Sequence, residues 1–307
     1  MTAGSVFLVP SGYNFRAVLA FCRALRLSGQ APAVVACTED DPIYRTAFAH
    51  DVVHVRPSRR LSLADFEAAV TAACRRTGAE RCVLAPTSEF LVRWALQRRT
   101  ALAKLGCDLP LPDEAIYTTV SDKAAFTQFV RELGMRVPAD VADISQVRLP
   151  AVAKPRWNVS PDGRSLSPWL LRTPADLARF AEQERAGDFF FQEWVAGESF
   201  YLLFHLPQVG ETTVYSQANQ AQQPGGKSIV LARAAGLHET AEAARWAGAL
   251  RAAGFYGVAM IELRRRGGEF VLIEANPRLW GPLQLCVDGC PALLLRYIGE
   301  YTGVNPP

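Results

Sequence analysis

Residues 269–278 read Glu269-Phe270-Val271-Leu272-Ile273-Glu274-Ala275-Asn276-Pro277-Arg278, and a second apolar run, residues 258–263, precedes them across Arg266-Gly267-Gly268. Two apolar runs around a Gly-Gly pair are a β-hairpin signal. Side chains alternate along a strand, so Glu274 and Asn276 share one face. A three-residue turn centred on Gly268 predicts that Glu262 faces Glu274, Leu263 faces Ile273 and Ile261 faces Ala275. One face is then apolar, and the other carries two carboxylates and an amide. Carboxylates this close repel unless a proton or a cation sits between them. Three hard oxygen donors without His or Cys suit Mg²⁺ or Mn²⁺ beside phosphates. A solvated polar face accounts for the same spacing and stays open as the plainer reading.

Only four of the 33 basic residues are lysines: Lys104, Lys123, Lys154 and Lys227. Lys154 ends the apolar run Ala151-Val152-Ala153, where a charged amine is costly unless an anion or water receives it. Lys123 stands in the first turn of a helix and opposes its dipole. A phosphate near both resolves both oddities, although either alone also fits a surface lysine with a buried stem. Gln192-Glu193-Trp194-Val195-Ala196-Gly197-Glu198 reads as a strand end, a turn and an acid. Its backbone suits an adenine edge and its carboxylate a ribose. Residues 221–228 differ from a Walker A motif by Ala221 in place of the first glycine, and no long helix follows Ser228. The Gly225, Gly226, Lys227, Ser228 segment is therefore read as a loop over a site.

Outward from these motifs, the first 112 residues alternate short apolar strands with helices. The expected strands are 6–9, 33–37, 52–55 and 82–85, and the expected helices 15–27, 43–50, 62–76 and 89–105. This is a parallel, doubly wound α/β layer. The turn after the first strand lacks GxGxxG, so no dinucleotide fingerprint is present. Residues 109–112 (Leu-Pro-Leu-Pro) form a linker. Ser121 is expected to cap a helix to about Leu133, and residues 156–168 are expected to be a loop. Mostly antiparallel strands with helices on one side make the remainder α+β.

The chain has 307 residues, 50% of them apolar and 21% charged, with net charge +3. Disorder is excluded, and scattered charge gives no footprint for nucleic acid. No apolar run reaches membrane length and no secretory signal is apparent, so a cytoplasmic protein is expected. Seven cysteines without CxxC read as reduced thiols. The four histidines have no metal spacing and no nucleophilic triad can be assembled; His205 is read as structural. Trp157, Trp169, Tyr201 and Trp280 line either an acceptor pocket or the core. Oligomeric state is not legible.

Together and in order, these pieces resemble the ATP-grasp superfamily, in particular its carboxylate–amine ligase-like members. The resemblance covers the whole chain. It implies a Rossmann-like pre-ATP-grasp domain (1–112), a small lobe (113–188) and a large lobe with the metal site (189–307). It implies ATP bound by Lys123, Lys154, Glu193, Val195 and Glu198. Mg²⁺, or Mn²⁺, falls to Glu262, Glu274 and Asn276. Arg278, with Lys154, is implied in catalysis and Gly225–Ser228 as a substrate loop. The implied reaction joins a carboxylate, an amino acid or peptide, to an amine through an acyl phosphate, releasing ADP and phosphate. Small-molecule acid and amine are the implied partners. Carboxylase-type or phosphotransferase chemistry, and nucleotide binding without turnover, remain alternatives. Two departures stand out: residues 156–168 contain one glycine, and Met260 and Ile261 occupy the stretch where many members place an arginine, leaving Arg278 or Arg233 to supply the charge.

Overall fold

A computed structural model describes residues 4–156, 166–223 and 228–304. Strands β1 (Ser5–Pro10), β2 (Ala33–Ala36), β3 (Val52–Val55), β4 (Arg81–Leu84) and β5 (Cys107–Asp108) form a parallel sheet in the order β3-β2-β1-β4-β5. Both faces of β1 are covered, as in parallel sheets generally. Phe7 and Val9 pack against α1 (Phe15–Leu27), whereas Val6 and Leu8 face α2 (Leu63–Thr77) and α3 (Glu89–Leu96). Ser62 caps α2 through the Asp65 N–H, and Gly78 closes it at φ +73°.

Several boundaries move. The helix expected at 43–50 is two 3₁₀ turns, Pro42–Arg45 and Ala49–Asp51. The helix expected at 89–105 breaks at Gln97-Arg98 into α3 and α4 (Arg99–Lys104). The Leu-Pro linker follows β5 directly, and Leu109 and Leu111 are buried in the N-terminal core. Ser121 does not start a helix. It ends α5 (Glu114–Ser121), and Asp122 caps α6 (Lys123–Glu132) by accepting from the Ala125 N–H. An Asp at the cap is as good an acceptor as Ser.

The rest of the chain builds two antiparallel sheets. The smaller holds β6 (Asp140–Val141), β7 (Ala151–Pro155), β8 (Trp169–Leu171) and β9 (Phe189–Glu193), in the order β6-β9-β7-β8. Helix α7 (Pro174–Gln183) packs on it through Phe180, with a full capping box at Thr173 and Asp176. The larger holds β10 (Glu198–Leu206), β11 (Thr213–Gln222), β12 (Ile229–Ala234), β13 (Gly257–Arg266) and β14 (Glu269–Asn276), ordered β12-β11-β10-β13-β14. Helix α8 (Ala241–Ala252) covers its apolar face through the buried Trp246. On the opposite face, Tyr201, Leu203 and Met260 share one core with α1, α9 (Gln284–Gly289), α10 (Pro291–Thr302) and β1. That shared core fixes the parallel layer against the large sheet. His205 is structural, as expected: it is buried and bonded to Glu300 at 2.8 Å. The seven cysteines are free. No helix among the described residues is long and apolar enough to cross a membrane.

The β13–β14 hairpin corrects the turn while keeping the register at its far end. Arg266 pairs with Glu269, so the turn is the two residues Gly267 and Gly268, both at positive φ. Leu263 then pairs with Leu272, not Ile273. A bulge inserts Ile273 as an extra residue, after which Glu262 faces Glu274 and Ile261 faces Ala275, as the longer turn would have given.

Between β9 and β10 the chain turns at Gly197, φ +130°, where a Cβ would lie 2.0 Å from the Arg265 carbonyl oxygen. Gly197→Ala is expected to cost about 3 kcal/mol or more, since neither the dihedral nor the contact can be relieved cheaply. A urea midpoint equal to that of the native protein would remove this argument.

Candidate active site

The two antiparallel sheets face each other across a cavity of about 380 Å³, within the range of small-molecule sites. Lys123, Lys154, Glu193, Val195, Glu262 and Glu274 all line it. Residues from position 123 to position 274 are thus brought to one cleft.

The bulge explains how Lys154 is tolerated. A bulged residue drops out of the ladder, and the Ile273 carbonyl accepts a hydrogen bond from Lys154 Nζ at 2.8 Å. The small sheet is thereby tied to the strand that carries Glu274. Lys154 is 9% exposed. Burial, then repulsion by Lys123, pulls its pKa down to about 8, against the pull of Glu274 and Glu262. Lys123 Nζ lies 3.7 Å from Glu274 Oε2.

The carboxylates differ although they face each other. Glu262 is buried, and burial followed by the Glu274 charge pushes its pKa up to about 7. Burial also raises Glu274, but Lys123, the Asn276 amide and Lys154 outweigh it and hold that carboxyl below its ordinary value. Asn276 Nδ2 donates to Glu274 Oε1 at 2.8 Å, and Arg278 Nη2 donates to Asn276 Oδ1 at 2.9 Å. Arg278 Nη1 donates to the Leu279 carbonyl, and the Leu279 N–H donates to the Pro86 carbonyl of the N-terminal layer at 3.0 Å. The arginine is therefore set in place by both parts of the molecule.

One support was not read from the sequence. Gln217 Nε2 donates to Asn219 Oδ1, Asn219 Nδ2 to Ser199 Oγ, and Ser199 Oγ to Glu262 Oε1, at 2.7, 2.8 and 3.2 Å. This chain crosses β11, β10 and β13, and it occupies one Glu262 oxygen. The partners come from three strands, so only the pairing register reveals it. Arg264 was also missed. It lines the cavity, stands 5.4 Å from the Trp194 ring centre and donates to the Gly197 carbonyl at 3.0 Å. Its spacing two residues from Glu262 was the available signal.

After the end of β9, Val195 is buried in the cavity wall. The Glu193 and Trp194 N–H groups bond the carbonyls of Ala139 and Pro150. The Glu193 carboxylate accepts from Arg266 at 3.0 and 3.2 Å, and these bonds keep its pKa low. Glu198 stands apart from the lining, exposed and paired with Arg265. Ser228 also lies away from the lining and accepts from Arg16 at 2.9 Å. Gly225, Gly226, Lys227 and Trp157 are outside the described residues. Trp169 lines the cavity, while Tyr201 and Trp280 are core. Arg233 is exposed on β12.

The donor set fits a hard divalent cation. It consists only of oxygen, one carboxyl is destabilised by burial and then by its neighbour's charge, and no cluster of three His, Cys, Asp or Glu exists among the described residues to compete.

No family model and no curated protein matches the sequence. Solved structures do match in shape. The ADP complex of an N5-carboxyaminoimidazole ribonucleotide synthetase is 19% identical, with TM-score 0.69, over 99% of this chain and 79% of its own. A biotin carboxylase from Campylobacter jejuni, in a beta-gamma-ATP complex, is 15% identical with TM-score 0.68, over 97% and 71%. N5-carboxyaminoimidazole synthase from Aspergillus clavatus, with ADP and its aminoimidazole ribonucleotide, is 13% identical with TM-score 0.66, over 99% and 78%. These neighbours are ATP-grasp enzymes, and the architecture this chain shares with them is the ATP-grasp fold.

Proposed function

We propose that the protein is an ATP-dependent ligase that joins a carboxylate to an amine through an acyl phosphate. The observation that carries the reading is the facing pair Glu262 and Glu274, with Lys123 and Lys154 beside it in one cleft. Residues 1–112 are read as the pre-ATP-grasp domain, 113–188 as the small lobe and 189–307 as the large lobe. The base lies against Glu193 and Val195. Glu198 reaches the ribose only on releasing Arg265.

Glu262, Glu274 and Asn276 would hold the ion. When bound, Mg²⁺ or Mn²⁺ neutralises phosphate oxygens and keeps the transferring group in line. Lys123 and Lys154 bring two further positive charges to the triphosphate, in a site where burial strengthens them. Arg278 binds the substrate carboxylate, or the acyl phosphate formed from it, in a two-pronged contact. A carboxylate resists nucleophiles because of its charge, and phosphorylation gives it a leaving group. The amine attacks the acyl carbon, the C–O bond to phosphate breaks, and phosphate leaves as the amide forms. No side-chain nucleophile is needed for these steps. Residues 156–168 and 222–228, the candidate lids of this reading, lie largely outside the described residues.

A second reading, a carboxylase-type reaction, is favoured by the neighbours named for such chemistry. ADP release decides between them. Release that depends on an amino acid or another amine supports the ligase, and release that depends on bicarbonate supports the carboxylase. Release with neither, across a panel of acids and amines, removes both.

Binding should also move protons. Phosphate beside Lys154 favours its charged form, so its pKa rises from about 8 and nucleotide binding at pH 8 takes up a proton. Glu262 is already ionised there, but below about pH 7 a bound cation displaces its proton. The calorimetric enthalpy at pH 8 is therefore expected to vary with the buffer's ionisation enthalpy, with the sign of uptake. An enthalpy independent of buffer would contradict this.

A further inference from the structure

Three cysteines meet in the N-terminal layer. Cys82 on β4 pairs with Cys107 on the neighbouring strand β5, and both are buried in the core that α2 and α3 cover. Cys74, near the end of α2, packs on the same core but is partly exposed. Its Sγ stands 4.0 Å from Cys82 Sγ, across only eight positions of sequence. Sulfurs in a disulfide lie about 2 Å apart, so a movement of about 2 Å joins them. The C-terminal pair is arranged differently: Cys286 Sγ donates to the Cys290 carbonyl oxygen at 3.8 Å.

The two thiols differ in access. An oxidant arriving from solvent reaches Cys74, whereas Cys82 is 0% exposed. Burial, then the Cys74 sulfur, holds the Cys82 thiol far above its ordinary pKa, so it is not the first to react. Once its neighbour is oxidised, however, Cys82 is already in place beside the reacting sulfur, and fixed proximity replaces intrinsic reactivity. We propose that Cys74 and Cys82 form a reversible oxidation site for hydrogen peroxide. The Cys74 sulfur takes one oxygen as the O–O bond breaks, giving a sulfenic acid and releasing one water. Cys82 Sγ then attacks the Cys74 sulfur and the S–O bond breaks. The departing hydroxide takes the Cys82 proton and leaves as a second water. Two thiols become one disulfide, and one peroxide becomes two waters. The bond ties α2 to β4 and keeps Cys74 from the irreversible sulfinic step. Exchange with a dithiol restores both thiols.

The test treats the reduced full chain with stoichiometric hydrogen peroxide, alkylates the free thiols in denaturant and maps the digest by mass spectrometry. The peptides of Cys74 and Cys82 are expected to be linked, so these two of the seven thiols are lost, and dithiothreitol recovers them. Cys82→Ala leaves the Cys74 sulfenic acid without its partner. Dimedone, which adds to sulfenic acids, is then expected to label Cys74 in the variant and not in the native protein. The linkage map needs no variant, so a variant that folds poorly does not decide the outcome. The proposal is overturned if Cys74 in the native protein stays a free thiol, bonds to Cys107 or to a second chain, or takes dimedone as fully as in Cys82→Ala.

Discussion

Glu274→Gln should abolish ATP turnover, lowering kcat by about a thousandfold or more, the scale of losing a principal charge contact in a transition state. The variant is nearly isosteric, and its amide oxygen still accepts from Asn276 Nδ2. The fold loses the pairing of Glu274 with Lys123 at 3.7 Å, but Glu262, pushed up to about 7 by burial and then by the Glu274 charge, is relieved of that repulsion, so the two effects oppose and the melting temperature of the nucleotide-free protein should change little. ADP release in a coupled assay and a thermal melt together make the test. Turnover within tenfold of native would refute the metal role. Lost turnover with a collapsed melt would show only a structural one.

Lys154→Met carries the second large effect. Methionine keeps an unbranched apolar chain in the same space. It removes a buried ammonium whose charged form is penalised first by burial and then by Lys123. The free protein loses the bond to the Ile273 carbonyl but also sheds the cost of burying a cation, so its stability should change little. Nucleotide affinity, by contrast, should fall by about a hundredfold, the worth of a charge-assisted phosphate contact in a screened cleft. Calorimetry against ATP with Mg²⁺ reads the loss. Unaltered affinity would remove Lys154 from the nucleotide site.

Much of the site was legible because its signals are local. Glu274 and Asn276 share a face by strand alternation alone, and the facing Glu262 followed from the hairpin. Even so, the pairing came right through two departures: the turn has two residues, not three, and the bulge at Ile273 restores the register. Neither is encoded by the apolar pattern, since Ile273 looks like any other strand residue. Lys154 announced itself as a charge at the end of a core strand, but its partner lies 119 positions away. The parallel layer was readable from strand–helix alternation. Boundaries failed where propensity was ambiguous. Ser121 and Asp122 are both good caps, and the second was used because α5 runs through the first. Strand β8 (Trp169–Leu171) follows the loop expected over 156–168 and was not read, since a three-residue strand has no period to detect. The relay from Gln217 to Glu262 depends on the order of β11, β10 and β13, which no local pattern supplies.

The measurement nearest the centre of this account is a crystal grown with Mn²⁺ and a non-hydrolysable ATP analogue, examined for anomalous scattering. The account predicts a manganese peak about 2.1–2.3 Å from oxygens of Glu262, Glu274 and Asn276, bridged to the terminal phosphates, with Lys123 and Lys154 on those phosphates. Nucleotide bound elsewhere, or bound here with no ion between the two glutamates, would contradict it.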